Sequence, residues 1–255
     1  MKNKSIGIKL LFCFLLAIVI PLLISGILSI KQAKNVLETN MELTSIQTLR
    51  ENKKGFVNYL KRLSEETDIL SRKNELKSFD TEEKIIDENV DAAQNSLVAA
   101  LKTCEGSIRA YYCTVNNRVI STWLTTDENG KSQGNFKIEE NIDLSKTDWY
   151  IGALENKKRD GVFAAYSKPY IDKETWKRII TIAQVIKKKE VVVGVVAIDI
   201  DFSVIEDYVK NTALLNTGYV LMTDDDGNIL VDNDNNKYIK DSLNNIEPWN
   251  EIKSE

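Results

Sequence analysis

The 255-residue chain contains no histidine. That absence removes imidazole general bases, imidazole metal ligands and the pH-switch chemistry that histidine usually supplies, and with them most hydrolase triads. Cysteine is scarce as well: Cys13 lies inside an apolar N-terminal run, and Cys104 and Cys113 lie close together in sequence. Three thiols without an imidazole build no zinc site. Cys104 and Cys113 can pair outside a cell, but nothing in their spacing requires it, and two buried free thiols are the expected state. No glycine-rich phosphate loop occurs, no clustered basic face is present, and the net charge is -4. A phosphate-backbone partner is therefore not expected, so nucleic acid is set aside, and no cofactor is implied. Hydrophobic residues make up 43% of the chain, enough to build one large domain or two small ones beside a membrane segment.

What the chain does contain begins with a long apolar run. From Ile8 to Ile30 only Lys9 is charged, and at about 1.5 Å per residue the run is long enough to cross a hydrocarbon core of roughly 30 Å. Lys2, Lys4 and Lys9 lie before or at its start, which places the N-terminus in the cytoplasm and everything after Lys31 outside. A cleaved signal peptide is the alternative. Against it, the run exceeds the roughly 7–15 residues of a signal-peptide core and ends Ser25-Gly26-Ile27-Leu28-Ser29-Ile30, without a clear small-x-small site. Pro21 is a break that membrane helices tolerate.

Lys31 to about Ser78 has no proline, and Leu49, Phe56, Leu63 and Leu70 recur every seven residues with Ile46 and Leu60 on the same face. This predicts a long amphipathic helix. It serves either as a helix packed on its own domain or as a stalk that pairs with a second copy. Lys53 and Thr67 interrupt the seam, so a mixture of domain packing and homodimer contact is expected. Asp80-Thr81-Glu82-Glu83 reads as the capped start of a second helix, with Ile85, Ile86, Val90, Ala93, Leu97 and Leu101 as its apolar face. Beyond Ser107 the pattern turns to strands. Ile108–Val115 and Val119–Trp123 flank the turn pair Asn116-Asn117, a hairpin, and the polar stretch Thr125–Glu140 is expected to be a surface loop. A short helix at Trp149–Asn156 and strands at Val162–Ser167, Arg178–Ile186 and Val191–Ile200 follow, the last two joined through Lys187–Glu190. Phe202–Leu214 reads as a helix. Tyr219–Thr223 and Ile229–Val231 open a second hairpin. The fold class expected is α+β.

The stretch Asp143-Leu-Ser-Lys-Thr-Asp-Trp149-Tyr150-Ile-Gly-Ala153, then Tyr166-Ser-Lys-Pro-Tyr170-Ile-Asp172, Ile180-Thr-Ile182 and Val192-Val-Gly-Val-Val-Ala-Ile-Asp199-Ile-Asp201, resembles the double Cache sensor domains of bacterial receptors. The resemblance covers about residues 31–255. In that family a long helix leads to a membrane-distal PAS-like subdomain that binds the ligand, then to a smaller membrane-proximal one and a second transmembrane helix. Such domains occur most often on methyl-accepting chemotaxis proteins, and also on sensor histidine kinases and diguanylate cyclases. The organisation implied is a cytoplasmic N-terminus over residues 1–7, a transmembrane helix over 8–30 and a stalk helix over 31–79. The membrane-distal, ligand-binding PAS-like subdomain then spans 80–201, and 202–255 hold a connecting helix and an incomplete membrane-proximal subdomain. By that analogy the chain is a truncated product or fragment of a cell-membrane receptor whose output domain lies elsewhere.

The chemistry of the matching residues fits a small-molecule site. Trp149, Tyr150 and Tyr170 supply flat apolar walls with polar tips, and Asp199, at the end of an apolar strand, is a carboxylate that needs a partner if buried. The competing reading makes Asp199 the cap of the helix that starts near Phe202 and makes the aromatics core filling. Amino-acid-binding members of the family carry a Tyr seven residues and an Arg two residues before the Trp, where this chain has Ile142 and Thr147. Thr replaces neither the charge nor the fork of an Arg, so an amine or polar metabolite is expected as ligand ahead of an ordinary amino acid. Asp224-Asp225-Asp226-Gly227 looks calcium-like, but an EF-hand register puts Met222 at its first ligand position and Asn233 at its last. A hairpin turn explains it better. The leading function is a small-molecule receptor for chemotaxis; an extracytoplasmic enzyme restricted to carboxylates such as Asp148 and Asp199, or a structural adaptor without a defined pocket, are the competing classes.

Overall fold

The computed structural model describes residues 6–79, 89–144, 146–155, 164–212, 220–224 and 226–232. Calls that fall on Asp80–Glu83, Ile85, Ile86, Ser145, Asn156, Val162, Leu214, Tyr219, Asp225 and Asn233 lie outside the described residues. The chain divides into two compact units, one holding residues 1–51 and the other most of the rest.

In the first unit the described residues are helical, part of α1 (Ile6–Arg72), with Pro21 inside it. Among the described residues this is the helix long and apolar enough to cross a membrane. Its apolar window has a mean hydropathy of 2.9, and none of that window is buried within the chain. Leu11, Phe14, Leu22 and Ile27 are all exposed, an arrangement that lipid rather than water accommodates.

The second unit is built on an antiparallel sheet. Its strands are β1 (Ser107–Thr114), β2 (Val119–Thr126), β3 (Ser132–Glu139), β4 (Ala165–Tyr166), β5 (Tyr170–Ile171), β6 (Arg178–Lys188) and β7 (Val191–Asp201). The order across the sheet is β3-β2-β1-β7-β6-β4, with β5 also pairing to β6. The two long strands β6 and β7 lie at the centre, β7 beside β1. Their link is a tight turn with Lys189 and Glu190 both at positive φ, the geometry whose twist matches paired strands. Asn117, also at positive φ, turns β1 into β2. β3 was expected as surface loop; it pairs with β2 along its whole length, from Val119↔Glu139 to Thr126↔Ser132. It is a sheet-edge strand with little of it buried, and only Phe136 and Ile138 alternate with polar residues in it, too short a hydrophobic pattern to mark it as a strand.

Period-two alternation sends the two faces of the sheet to different tasks. Ala110, Tyr112, Ile120, Ile182, Val196, Ile198 and Ile200 form one core with Tyr59, Leu63 and Leu70 of α1 and with Ala93, Leu97 and Leu101 of α3 (Val90–Thr103). Leu63 and Leu70 of the seven-residue series are thus committed to their own domain, each at about 1.5–3 kcal/mol of burial. Thr67, which seemed to interrupt the seam, is fully buried; its hydroxyl donates to the Ser64 carbonyl at 2.9 Å and lies 3.4 Å from Gln184 of β6. α1 ends at Arg72, and a single turn, α2 (Asn74–Lys77), follows. On the opposite face Cys113, Val119, Ala183, Val185, Val195 and Ala197 pack with Trp149 and Ala153 of α4 (Asp148–Glu155). Cys104 and Cys113 are buried free thiols. Gly194 is required where β7 crosses β1, since a Cβ there would sit 2.5 Å from both the Cys113 carbonyl oxygen and the Tyr112 ring.

After β7, α5 (Phe202–Lys210) packs Phe202, Ile205 and Val209 inward. β8 (Leu221–Thr223) and β9 (Ile229–Asp232) then form the second hairpin. Its turn is held by Asp224, whose carboxylate accepts the backbone N–H groups of Asp226 and Asn228 at 3.0 and 2.8 Å. That is a hairpin turn, as its register against a calcium loop implied.

Candidate functional site

On the α4 side of the sheet the apolar alternation gives way to polar residues at one level. Arg109 of β1 and Asp199 of β7 are direct partners, and Asp199 is in turn opposite Thr181 of β6. Two residues back along β1, Ser107 pairs with Ile200, only one residue on along β7, so two residues of β1 span one of β7. Such a bulge disrupts regular pairing beside the polar level. The strand sequence places these side chains together: Thr181 interrupts a run of isoleucines, and Asp199 follows Val195 and Ala197 on the same face.

Asp199 is 2% exposed, and each of its carboxylate oxygens accepts a hydrogen bond. The Tyr111 hydroxyl donates to its Oδ2 at 2.6 Å and the Thr181 hydroxyl to its Oδ1 at 2.6 Å. Thr181 has one proton to give, so the Tyr170 hydroxyl, 2.7 Å away, donates to the Thr181 oxygen. Burial pushes Asp199 up to about 6, opposed by these two hydroxyl donors and by the Arg109 guanidinium. Burial, then the nearby Asp199 charge, push Tyr170 up to about 12 and raise Tyr111 as well. The network is therefore neutral hydroxyls around one carboxylate whose charge is held with difficulty. The helix-cap reading of Asp199 belongs to its neighbour: Asp201 Oδ1 accepts the Ser203 N–H at 3.0 Å at the start of α5, and Lys177 pairs with its other oxygen at 2.8 Å.

Of the aromatics, Trp149 is nearly buried, stacked on Tyr111 at 6.4 Å between centroids, and edge-on to Tyr150 at 5.9 Å. Tyr150 is half-buried and packs on the same cluster as Trp149. Trp149 and Tyr170 also line a cavity of about 380 Å³, together with Lys146, Thr147, Asp148, Ser167, Lys168 and Pro169. The structure thus brings Trp149 and Tyr170 to the cavity wall. Asp199 lies behind Tyr170, two hydrogen bonds away through Thr181, and Tyr150 braces Trp149 from the side. Sequence reasoning missed Arg109, Tyr111 and Thr181. Each is a polar residue at the inward phase of an otherwise buried strand, and that phase is the signal that identifies them once the pairing is known.

Residues 83–207 match the family model described as methyl-accepting chemotaxis protein-like, first PDC sensor domain. No curated protein sequence matches the chain. Among solved structures, the sensory domain of the Campylobacter jejuni chemoreceptor Tlp3 with isoleucine bound is 16% identical, with 81% of this chain and 78% of that one covered and a TM-score of 0.61. The ligand-binding domain of the same receptor in complex with L-valine is 17% identical over 78% and 73% of the two chains, at a TM-score of 0.59. The ligand-binding domain of the Pseudomonas fluorescens chemoreceptor CtaA in complex with L-isoleucine is 20% identical over 78% and 71%, at a TM-score of 0.52.

These findings overturn the expectation that an amine or polar metabolite is favoured over an ordinary amino acid, because the structurally similar sensor domains are solved with isoleucine and valine bound. The expectation rested on Thr147 standing where an Arg was sought. One position on one segment does not decide which cations a folded site holds: Arg109, far away in sequence, reaches the Asp199 level from β1. The α+β fold, the sheet with helices on both faces and the match over residues 83–207 agree. Residues 83–207 are a chemoreceptor-type PDC sensor domain of the methyl-accepting chemotaxis protein-like family.

Proposed function

We propose that this chain is the membrane-anchored, extracytoplasmic sensing part of a chemotaxis receptor, and that it binds a free amino acid. The observation that carries the reading is a buried carboxylate, Asp199, set in a hydroxyl network beside an aromatic-walled cavity of about 380 Å³. In this reading Asp199 receives the ammonium group, directly or after Tyr170 yields, and Trp149, Tyr150 and Tyr170 enclose the apolar part. The protein acts by binding rather than by catalysis. The apolar part of α1 spans the membrane with Lys2, Lys4 and Lys9 on the cytoplasmic side. Residues 31–79 form the stalk, 80–201 the ligand-binding subdomain, and 202–255 lead into a membrane-proximal one. A ligand that prefers one arrangement of the sensor domain biases α1, and that differential affinity is the signal.

The test uses the full chain in lipid nanodiscs, melted in the presence of each of the twenty L-amino acids. A true ligand at about 100 times its Kd stabilises the native state by about 2.7 kcal/mol, which at least one amino acid is expected to do. No shift with any of them rejects the amino-acid sensor and favours an adaptor. External protease on intact spheroplasts is expected to remove the sensor domain; full protection, while a known external domain is digested, reverses the topology.

A further inference from the structure

We infer that Arg109 is the residue that takes the ligand's carboxylate, and that Glu174 occupies that position when no ligand is bound. The inference rests on the amino-acid sensor reading and deepens it. Arg109 comes from β1, its side chain is 13% exposed, and it lies on the same face as Asp199 and directly opposite it. Its donors are unequally used. Nη1 donates to the Tyr111 hydroxyl at 3.3 Å, and Nη2 meets the Glu174 carboxylate at 2.5 Å. Nε, on the same edge of the guanidinium as Nη2, is buried and has no hydrogen-bond partner among the described residues.

A buried N–H of a charged group left without an acceptor is destabilising, and native proteins rarely leave one so without a use. The Nε–Nη2 edge is the fork that grips a carboxylate with two parallel hydrogen bonds. Glu174 satisfies only half of it, and its own side chain is 65% exposed on the turn between β5 and β6. It is a carboxylate on an exposed turn, parked on an incompletely filled anion site. A ligand carboxylate that fills both Nε and Nη2 displaces it, and Glu174 returns to water at little cost.

The surrounding charges have the polarity of a zwitterion. Arg109 is positive at one side of the polar level, while Asp199 lies opposite it and Asp172 lies near enough to feel its field. Displacement of Glu174 also releases a contact of the β5–β6 turn, which follows directly on β5 and its Tyr170, a wall of the cavity, so filling the anion site and reshaping the wall are coupled.

The experiment titrates the full chain in nanodiscs by calorimetry with the amino acid that stabilises the wild type most, and with its α-carboxamide. Wild type is expected to prefer the acid. Arg109→Gln and Arg109→Lys, which lose the fork, are expected to weaken the acid at least tenfold while leaving the carboxamide within about twofold. Glu174→Gln, on an exposed turn, removes the competitor and is expected to tighten the acid severalfold. Unchanged affinity for the acid in the Arg109 variants, or unchanged or weakened affinity in Glu174→Gln, overturns the assignment and leaves the sensor reading standing. Should the Arg109 variants not fold, the Glu174→Gln titration decides alone. A wild type that binds none of the twenty amino acids overturns both.

Discussion

Thr181 and Asp199 are direct neighbours on the two central strands, and the Thr181 hydroxyl gives its only proton to the Asp199 carboxylate at 2.6 Å. The same oxygen receives the Tyr170 hydroxyl at 2.7 Å. One threonine therefore connects a buried charge to a cavity wall. Thr181→Val keeps the shape and the β-branch, but it strips Asp199 of one of two hydroxyl donors and leaves the Tyr170 hydroxyl without its acceptor. Denaturant melts of this variant should show a loss of about 1–3 kcal/mol, with an unchanged m-value if the fold is otherwise intact. A loss below about 0.5 kcal/mol would mean that water replaces the threonine freely.

Asp199→Asn preserves shape and removes charge. If the carboxylate receives the ligand's ammonium group, affinity for the stabilising amino acid should fall by about 10–100-fold, the equivalent of roughly 1.5–3 kcal/mol for a hydrogen bond to a charged group. Calorimetry on the folded variant measures this. Affinity within twofold of wild type would make Asp199 a structural residue only.

The raised pKa of Asp199, about 6 against an ordinary 3.8, has a definite sign in stability. Between those two values the folded state holds a proton that the unfolded state has released, so this group's contribution is greatest below about pH 4 and is lost as pH rises through about 6. A shift of that size corresponds to about 3 kcal/mol. Asp172, Asp201 and Glu75 are held below the usual carboxylate range by hydrogen bonds despite partial burial, and they act oppositely, losing stability as pH falls. The quantity to measure is therefore the stability of wild type minus that of Asp199→Asn. It should rise as pH drops from 7 to 5. A flat difference would show that Asp199 titrates normally.

Dimer contact along α1 has to use side chains that the domain leaves exposed. Tyr59, Leu63 and Leu70 are buried in their own core, whereas Leu49, Val57 and Ile69 are exposed. Single cysteines placed at the latter three positions, in a chain with Cys13→Ser, should form disulfides between copies in native membranes, and cysteines at 59, 63 and 70 should not. Uniform background across all six positions would remove the homodimer.

Much of this protein was legible in its residues because local rules decided it. The apolar run from Ile8 to Ile30 is long enough for a membrane whatever it packs against, the Asn116-Asn117 turn declares itself through a residue type that tolerates positive φ, and the Lys187–Glu190 link through a charged run between two apolar strands. β6 and β7 stand out as long β-branched runs. The edge strand β3 was not legible, because its own pattern is only Phe136 and Ile138 in a polar run, and the pairing offered by β2 decides it.

The candidate site divides along the same line. Trp149, Tyr150, Tyr170 and Asp199 were singled out by residue type and order, but sequence alone left Asp199 suspended between a helix cap and a buried carboxylate. The tertiary structure assigned the cap to Asp201 and enclosed Asp199 between Tyr111 and Thr181. It also brought Arg109 opposite Asp199, across 90 positions of chain. Periodicity along one strand says which face a side chain takes, whereas strand pairing and register, which arise only when the sheet assembles, decide which charges meet on that face.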